Sequence, residues 1–347
     1  MKLALVGMFG GTHLGGSFAR AAERMGVETV AFDANEAFSG PRLLRTLSWR
    51  LAGHRPPRLS RFSAHVVASC LQQRPDVLVA LGTASLTRAA IRRLSSAGTT
   101  CMAFCSDDPF NKTQRADWHL AALPAYHIVF TPRRANIADL RALGCADVRY
   151  LPFGYDEALF SPCIAESATQ DLDVLFVGGA DQDRVEFMRE FVRSGLRVGL
   201  IGGYWDRFAE TRAYALGFKT PKELCTLSAA AKVNLCLVRK ANRDGHVMRS
   251  FEIAAVGGCM LAEDTDEHRE IFGPEGETVF YFRNAAEAAN KASWLIGNAE
   301  ERSRMKQAVR KRAGGAENTY RARLAAMLAI AEPSRGYFPP SSVAAAQ

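Results

Sequence analysis

The feature that most restricts the fold is a rhythm that runs twice along the chain. Short apolar runs, each about one strand long, alternate with longer amphipathic stretches. In the first pass the runs are residues 3–7, 29–32, 77–81, 101–104 and 128–130. Near-continuous apolar runs of this length read as strands buried on both faces. Between them lie helical patterns such as Phe18 to Met25, closed by Gly26. Strand alternating with helix implies a parallel sheet covered on both sides. The second pass has runs at 174–177, 198–201, 233–238, 259–261 and 279–281. A chain of 347 residues exceeds one ordinary core. The expected architecture is therefore α/β, with two tandem Rossmann-like domains and a helical tail from 285 to about 331. Domains are expected at 1–158 and 173–331, joined by a linker at 159–172 that holds a proline and small polar residues without periodicity. A Pro-, Ser- and Ala-rich tail follows at 332–347.

Two classes of protein are disfavoured. The opening MKLALVGMFGG is apolar for only one strand's length, and no later stretch approaches the roughly 18 apolar residues of a membrane span. The eight cysteines show no C-x-x-C pair, and several lie in apolar runs, so reduced core thiols are expected rather than zinc ligands or disulfides. Both features point to a soluble cytoplasmic chain.

Open α/β sheets bind ligands at the carboxyl ends of their strands, where helix N-termini present unpaired N–H groups. Each half has a glycine-rich turn there: residues 7–16 after the first strand, and Gly178-Gly179 after the first strand of the second half. The first departs from the dinucleotide spacing G-x-G-x-x-G, and Asp33 only loosely matches the acid expected one βαβ unit later. A second signal is the pair Asp244 and Glu252, eight positions apart, with Glu252 near the start of a short helix ending in Gly257-Gly258. An ionised carboxylate there can accept two hydrogen bonds from a vicinal diol such as a ribose, or simply sit favourably in a first helical turn.

The run RSFEIAAVGGCMLAED, with EHREIFGPEGETVFYF after it and LSAAAKVNLCLVRKANRDGHVM before it, resembles the C-terminal domain of the CgeB-type (spore-maturation-like) glycosyltransferases. These are relatives of the GT-B group that carries an E-x7-E motif. YLPFGYDEALFSP from Tyr150 resembles that group's interdomain signature, so the resemblance covers roughly 150–330. It implies a GT-B fold and a nucleotide-diphosphate-sugar donor held in a cleft between the domains. Glu252 would bind the donor ribose, and Asp244 takes the first acid's place, where the pattern has Glu. Arg184, Lys232 and Arg249 would face the pyrophosphate beside the N–H groups of Gly178 and Gly179. Asn234, Ser250 and Phe251 would complete the donor site. No metal or other cofactor is implied. Asp171-x-Asp173 and Asp181-x-Asp183 have D-x-D spacing, but the first lies in the linker and the second in the phosphate-facing turn.

Charge dictates the chemistry such a site needs. As the bond to the nucleotide breaks, negative charge grows on the diphosphate, and cations fixed beforehand around it stabilise the transition state more than the ground state. On the acceptor side, Gly10, Gly11 and Thr12 form the first turn, and His13, Asp107 or Asp108 could act as general base. Two other readings share the donor site: a sugar-nucleotide epimerase, and a non-catalytic nucleotide-sugar-binding module. Finally, Arg42, Arg45, Arg50, Arg55, Arg58 and Arg61 fall in a stretch with no acidic residue between Glu36 and Asp76. The interleaved Leu43, Leu44, Leu47, Trp49 and Leu51 could rest on an anionic membrane, close over the acceptor or pack into the core; packing is the expectation. No nucleic-acid motif accompanies the basic run.

Overall fold

A computed structural model describes residues 1–162 and 172–331. The chain divides into two compact units, residues 1–152 with 320–347, and residues 153–319.

The first unit holds strands β1 (Lys2–Gly7), β2 (Glu28–Asp33), β3 (Val77–Leu81), β4 (Thr100–Phe104), β5 (Ile128–Thr131) and β6 (Val148–Tyr150). Its helices are α1 (Leu14–Arg24), α2 (Arg42–Leu51), α3 (Leu59–Gln73), α4 (Arg88–Ser96), α5 (Asp117–Ala122) and α6 (Ala135–Ala142). All six strands are parallel, in the order β2-β1-β3-β4-β5-β6. β3 is buried throughout, as its unbroken apolar run requires.

The second unit holds β7 (Val174–Val177), β8 (Val198–Ile201), β9 (Ala215–Gly217), β10 (Val233–Cys236), β11 (Met260–Glu263) and β12 (Phe280–Phe282), with α7 (Gln182–Arg193), α8 (Pro221–Ala230), α9 (Met248–Val256), α10 (Asp266–Phe272), α11 (Ala285–Gly297) and α12 (Ala299–Ala313). The strand order is β12-β11-β10-β7-β8-β9, again all parallel. This is the doubly wound order of dinucleotide-binding sheets, and it reverses between β7 and β10, where such sheets open a ligand crevice at their carboxyl ends.

The last helix, α13 (Tyr320–Ala331), differs from expectation. Its place in the sequence puts it with the second half, yet it belongs to the first unit. There Tyr320 packs its ring 5.4 Å from Phe18 of α1, and Arg323 Nε donates to the Pro152 carbonyl at 2.9 Å. The chain enters the second unit at Phe153 and leaves it at Thr319, and a bridge between Tyr155 and Thr319 pins these two crossings together. Gly154 is required there, because a Cβ would stand 2.6 Å from the Asn318 carbonyl oxygen. The expected linker thus begins inside a built segment. Its residues 163–171, with Asp171 and Cys163, and the tail from 332 lie outside the described residues. The seven described cysteines are buried free thiols, and burial pushes those of Cys105, Cys236 and Cys259 up to about 12.

Candidate active site

In the second unit the crevice is framed by the turn after β7 and the segment after β10. The first turn is tight because three backbones meet there. Gly202, after β8, has φ +127°, and a Cβ on it would stand 2.5 Å from the Gly178 oxygen. Trp205, fully buried, donates its indole N–H to the same oxygen at 2.8 Å. Ala180 N–H reaches the Gly203 carbonyl at 2.9 Å. Asp181 then caps α7 by accepting the Arg184 N–H at 3.0 Å, which explains Asp181-x-Asp183 as a helix start rather than a metal motif.

Arg184 projects from this first turn. Its Nη1 donates to the Gly179 carbonyl at 3.0 Å, and its guanidinium lies 5.4 Å from the Phe176 ring centre. Burial, with the neighbouring Arg239 charge, holds its pKa below the usual range, while Asp181 and Asp244 oppose that shift. Arg239 Nε lies 3.8 Å from Asp181 Oδ2. Glu263, at the end of β11, accepts the Val238 N–H at 3.1 Å; burial raises its pKa against the pull of Lys240 and Arg184. The crevice therefore gathers Arg184, Arg239 and Lys240 around a few carboxylates.

On its other side, Glu252 is 4% exposed in α9 and ion-paired with Arg249 one turn earlier. Burial raises its pKa, Arg249 lowers it, and the Asp156 charge adds a smaller upward push. The Cys236 thiol, at the carboxyl end of β10, feels both Arg249 and Arg184, so the two cations flank one strand end.

Two buried histidines hold this wall. His246 Nε2 accepts the Phe153 N–H at 3.1 Å, which puts its proton on Nδ1, 2.5 Å from Glu267 Oε2. His268 Nδ1 donates to the Glu263 carbonyl at 2.8 Å, leaving Nε2 to accept from Ser250 Oγ at 2.9 Å. Ser250 Oγ in turn accepts the Val247 N–H at 3.2 Å. Burial lowers the His268 pKa to about 4, so the ring is neutral.

The structure thus brings Gly178, Gly179, Arg184, Asp244, Arg249 and Glu252 to the carboxyl edge of the second sheet. Four other expected donor residues are engaged within the fold. Lys232 precedes β10 and pairs with Asp173 at 2.8 Å, at the opposite end of the strands. Asn234, 1% exposed, accepts from Ser228 Oγ at 2.7 Å and donates to the Ser228 carbonyl at 2.9 Å, clamping α8 to the sheet. Phe251 is 1% exposed, with its ring 5.6 Å from that of His246. Ser250 is bound up in the histidine network. Arg239 and Lys240 escaped the sequence reading, although they directly follow the 233–238 run where strand-end ligands are expected.

In the first unit, Gly10 (φ +98°) and Gly11 (φ +50°) form the exposed turn after β1, with Thr12 half-buried and His13 exposed. Gly15 packs so closely that a Cβ would stand 2.3 Å from the Met8 oxygen. Asp107 and Asp108 line a separate small recess with Gly82, Thr83 and His119. Arg133, 1% exposed, fixes that loop by donating to the Cys105 and Ser106 carbonyls at 3.3 and 2.8 Å. Asp108 is 2% exposed and accepts the Phe110 N–H at 2.9 Å, as an Asx turn does, whereas Asp107 is half-buried.

Comparison with known proteins bears on both units. Residues 183–329 match a family described as glycosyl transferase-like. Nearly the whole chain aligns with solved structures. Sucrose-phosphate synthase of Thermosynechococcus elongatus aligns with a TM-score of 0.69 at 16% identity, covering 95% of this chain and 98% of the other. HepE of Anabaena, solved in complex with UDP, gives 0.61 at 12%, covering 95% and 100%. The T4 phage β-glucosyltransferase, solved in complex with UDP-glucose, gives 0.58 at 14%, covering 96% and 98%. The chain has the GT-B fold. No curated protein matches the chain by sequence. Among its described residues, no helix is long and apolar enough to cross a membrane, and no cluster of three or more His, Cys, Asp or Glu could hold a metal ion.

Proposed function

We propose that the enzyme transfers a hexosyl group from a UDP-sugar, bound at the carboxyl edge of the second sheet, to an acceptor hydroxyl without a metal. The observation that carries this reading is Glu252, a buried carboxylate paired with Arg249 on one side of the crevice whose other side gathers Arg184, Arg239 and Lys240. Glu252 accepts the two ribose hydroxyls. Arg184, Arg239 and Lys240, with the N–H groups of Gly178 and Gly179, take the diphosphate. Arg249 exchanges its contact with Glu252 for one with the phosphate as the donor enters. The uridine preference follows HepE and the phage enzyme, which were solved with UDP or UDP-glucose.

Chemically, the guanidinium groups oppose the charge that develops on the departing diphosphate, and loss of one such donor costs about 3 kcal/mol, roughly a hundredfold in rate. Asp107 and His13 are the candidates for accepting the acceptor's proton, because Asp108 is committed to its turn. Thermal-shift titration against UDP, GDP, dTDP, CDP and their sugar conjugates tests the donor site. Stabilisation by a uridine nucleotide that survives EDTA and is lost in Glu252→Ala supports the reading. No stabilisation by any nucleotide sinks it.

A further inference from the structure

We propose that α2 and the turn after it form a docking surface for an anionic lipid bilayer. The sequence suggested that these leucines pack inward, and the structure places them outside. Leu43, Leu47 and Leu51 follow one another at i, i+4 and i+8, so they share one face of the helix, and they are 69%, 44% and 80% exposed. Water-soluble surfaces scatter single apolar side chains but rarely line three leucines along one helix face.

The opposite side of this segment is what ties it to the unit. The Trp49 ring lies 4.3 Å from that of His54 and 6.4 Å from that of Phe38. His54 Nδ1 sits 2.9 Å from the Arg115 carbonyl oxygen, and Trp118 Nε1 donates to the His54 carbonyl at 3.3 Å. Ser48 Oγ donates to the Arg55 carbonyl at 2.6 Å. The helix is thus fastened from behind with its leucine face outward.

Charge selects the occupant. Arg45, Arg50, Arg55, Arg58 and Arg61 are all exposed, and no acidic residue lies between Glu36 and Asp76 to offset them. Leucines inserted from a segment that also carries these exposed guanidinium groups suit acyl chains below a layer of phosphate headgroups. A second copy of this basic face would repel the first, and a nucleic acid would leave the leucines in water.

Sedimentation with phosphatidylcholine vesicles, with and without phosphatidylglycerol, tests this independently of any donor. The protein is expected to pellet with the anionic vesicles only. Leu47→Glu/Leu51→Glu should abolish pelleting while leaving the melting curve and nucleotide binding unchanged, since both side chains face solvent. Arg45→Gln and Arg50→Gln should each weaken partitioning roughly fivefold, the equivalent of about 1 kcal/mol per basic residue near an anionic surface. Equal pelleting with neutral vesicles, or pelleting that survives the leucine substitutions, overturns the proposal. So does a concentration-dependent dimer that those substitutions dissolve, or tight duplex DNA binding without vesicle binding.

Discussion

Glu252 shows how a residue's surroundings set its use. Transferred from water to 4% exposure, its carboxylate is costly unless paired, and Arg249 supplies the partner. Replacing it with Gln keeps the shape and removes the charge. Charge-assisted hydrogen bonds contribute about 1.5–3 kcal/mol each, so Glu252→Gln should weaken UDP binding at least tenfold by calorimetry while the fold persists. Histidines give a second residue-scale prediction. Burial lowers the pKa of His119 and of His268 from 6.5 to about 4. The unfolded chain therefore binds more protons between these values, and stability must fall as pH drops from about 6.5 towards 4. At 1.36 kcal/mol per pH unit, each histidine removes about 2 kcal/mol by pH 5. Urea unfolding at pH 7 and pH 5 should show that His119→Phe reduces the pH-dependent loss by about that amount.

At the scale of elements, tight turns carry the proposed donor site. Gly202 combines φ +127° with the contact to Gly178, so Gly202→Ala both strains the backbone and pushes apart the turns after β7 and β8. It should cost upwards of about 2 kcal/mol in urea unfolding and sharply weaken nucleotide binding, whereas Gly195→Ala, whose Cβ meets open space, should bind normally. The sequence was informative here to uneven depth. Ten of the strands were legible as apolar runs, most of them buried, although β2, at a sheet edge, buries only Phe32. β6 and β9 were not: both are three-residue edge strands with little apolar signal, β6 carrying Arg149 at its centre and β9 exposing Leu216 and Gly217. The helical tail resolved into three helices, α11, α12 and α13, at the breaks around Asn298 and Gly314.

For the whole molecule, the chain's order and its packing disagree at one place. α13 closes the first unit over α1, through Tyr320 on Phe18, although it follows the second unit in sequence. Deleting residues 320–347 should therefore destabilise the first unit and spare the second, visible as early proteolysis confined to residues 1–152. Loss of both units together would contradict that division. By itself the sequence determined the doubled α/β pattern, the glycine turns at strand ends and the acid pair Asp244 and Glu252, because burial periodicity and φ-permissive residues act locally. Only the tertiary structure decided which polar groups are free for chemistry. Lys232 and Asn234 look like ligands in one dimension, yet Asp173 and Ser228 consume them. Arg239 gains its role from a neighbour 58 positions away, Asp181. Hydrogen bonds and ion pairs are satisfied between residues distant in sequence, so which side chains remain for a ligand is fixed only when the chain has closed on itself.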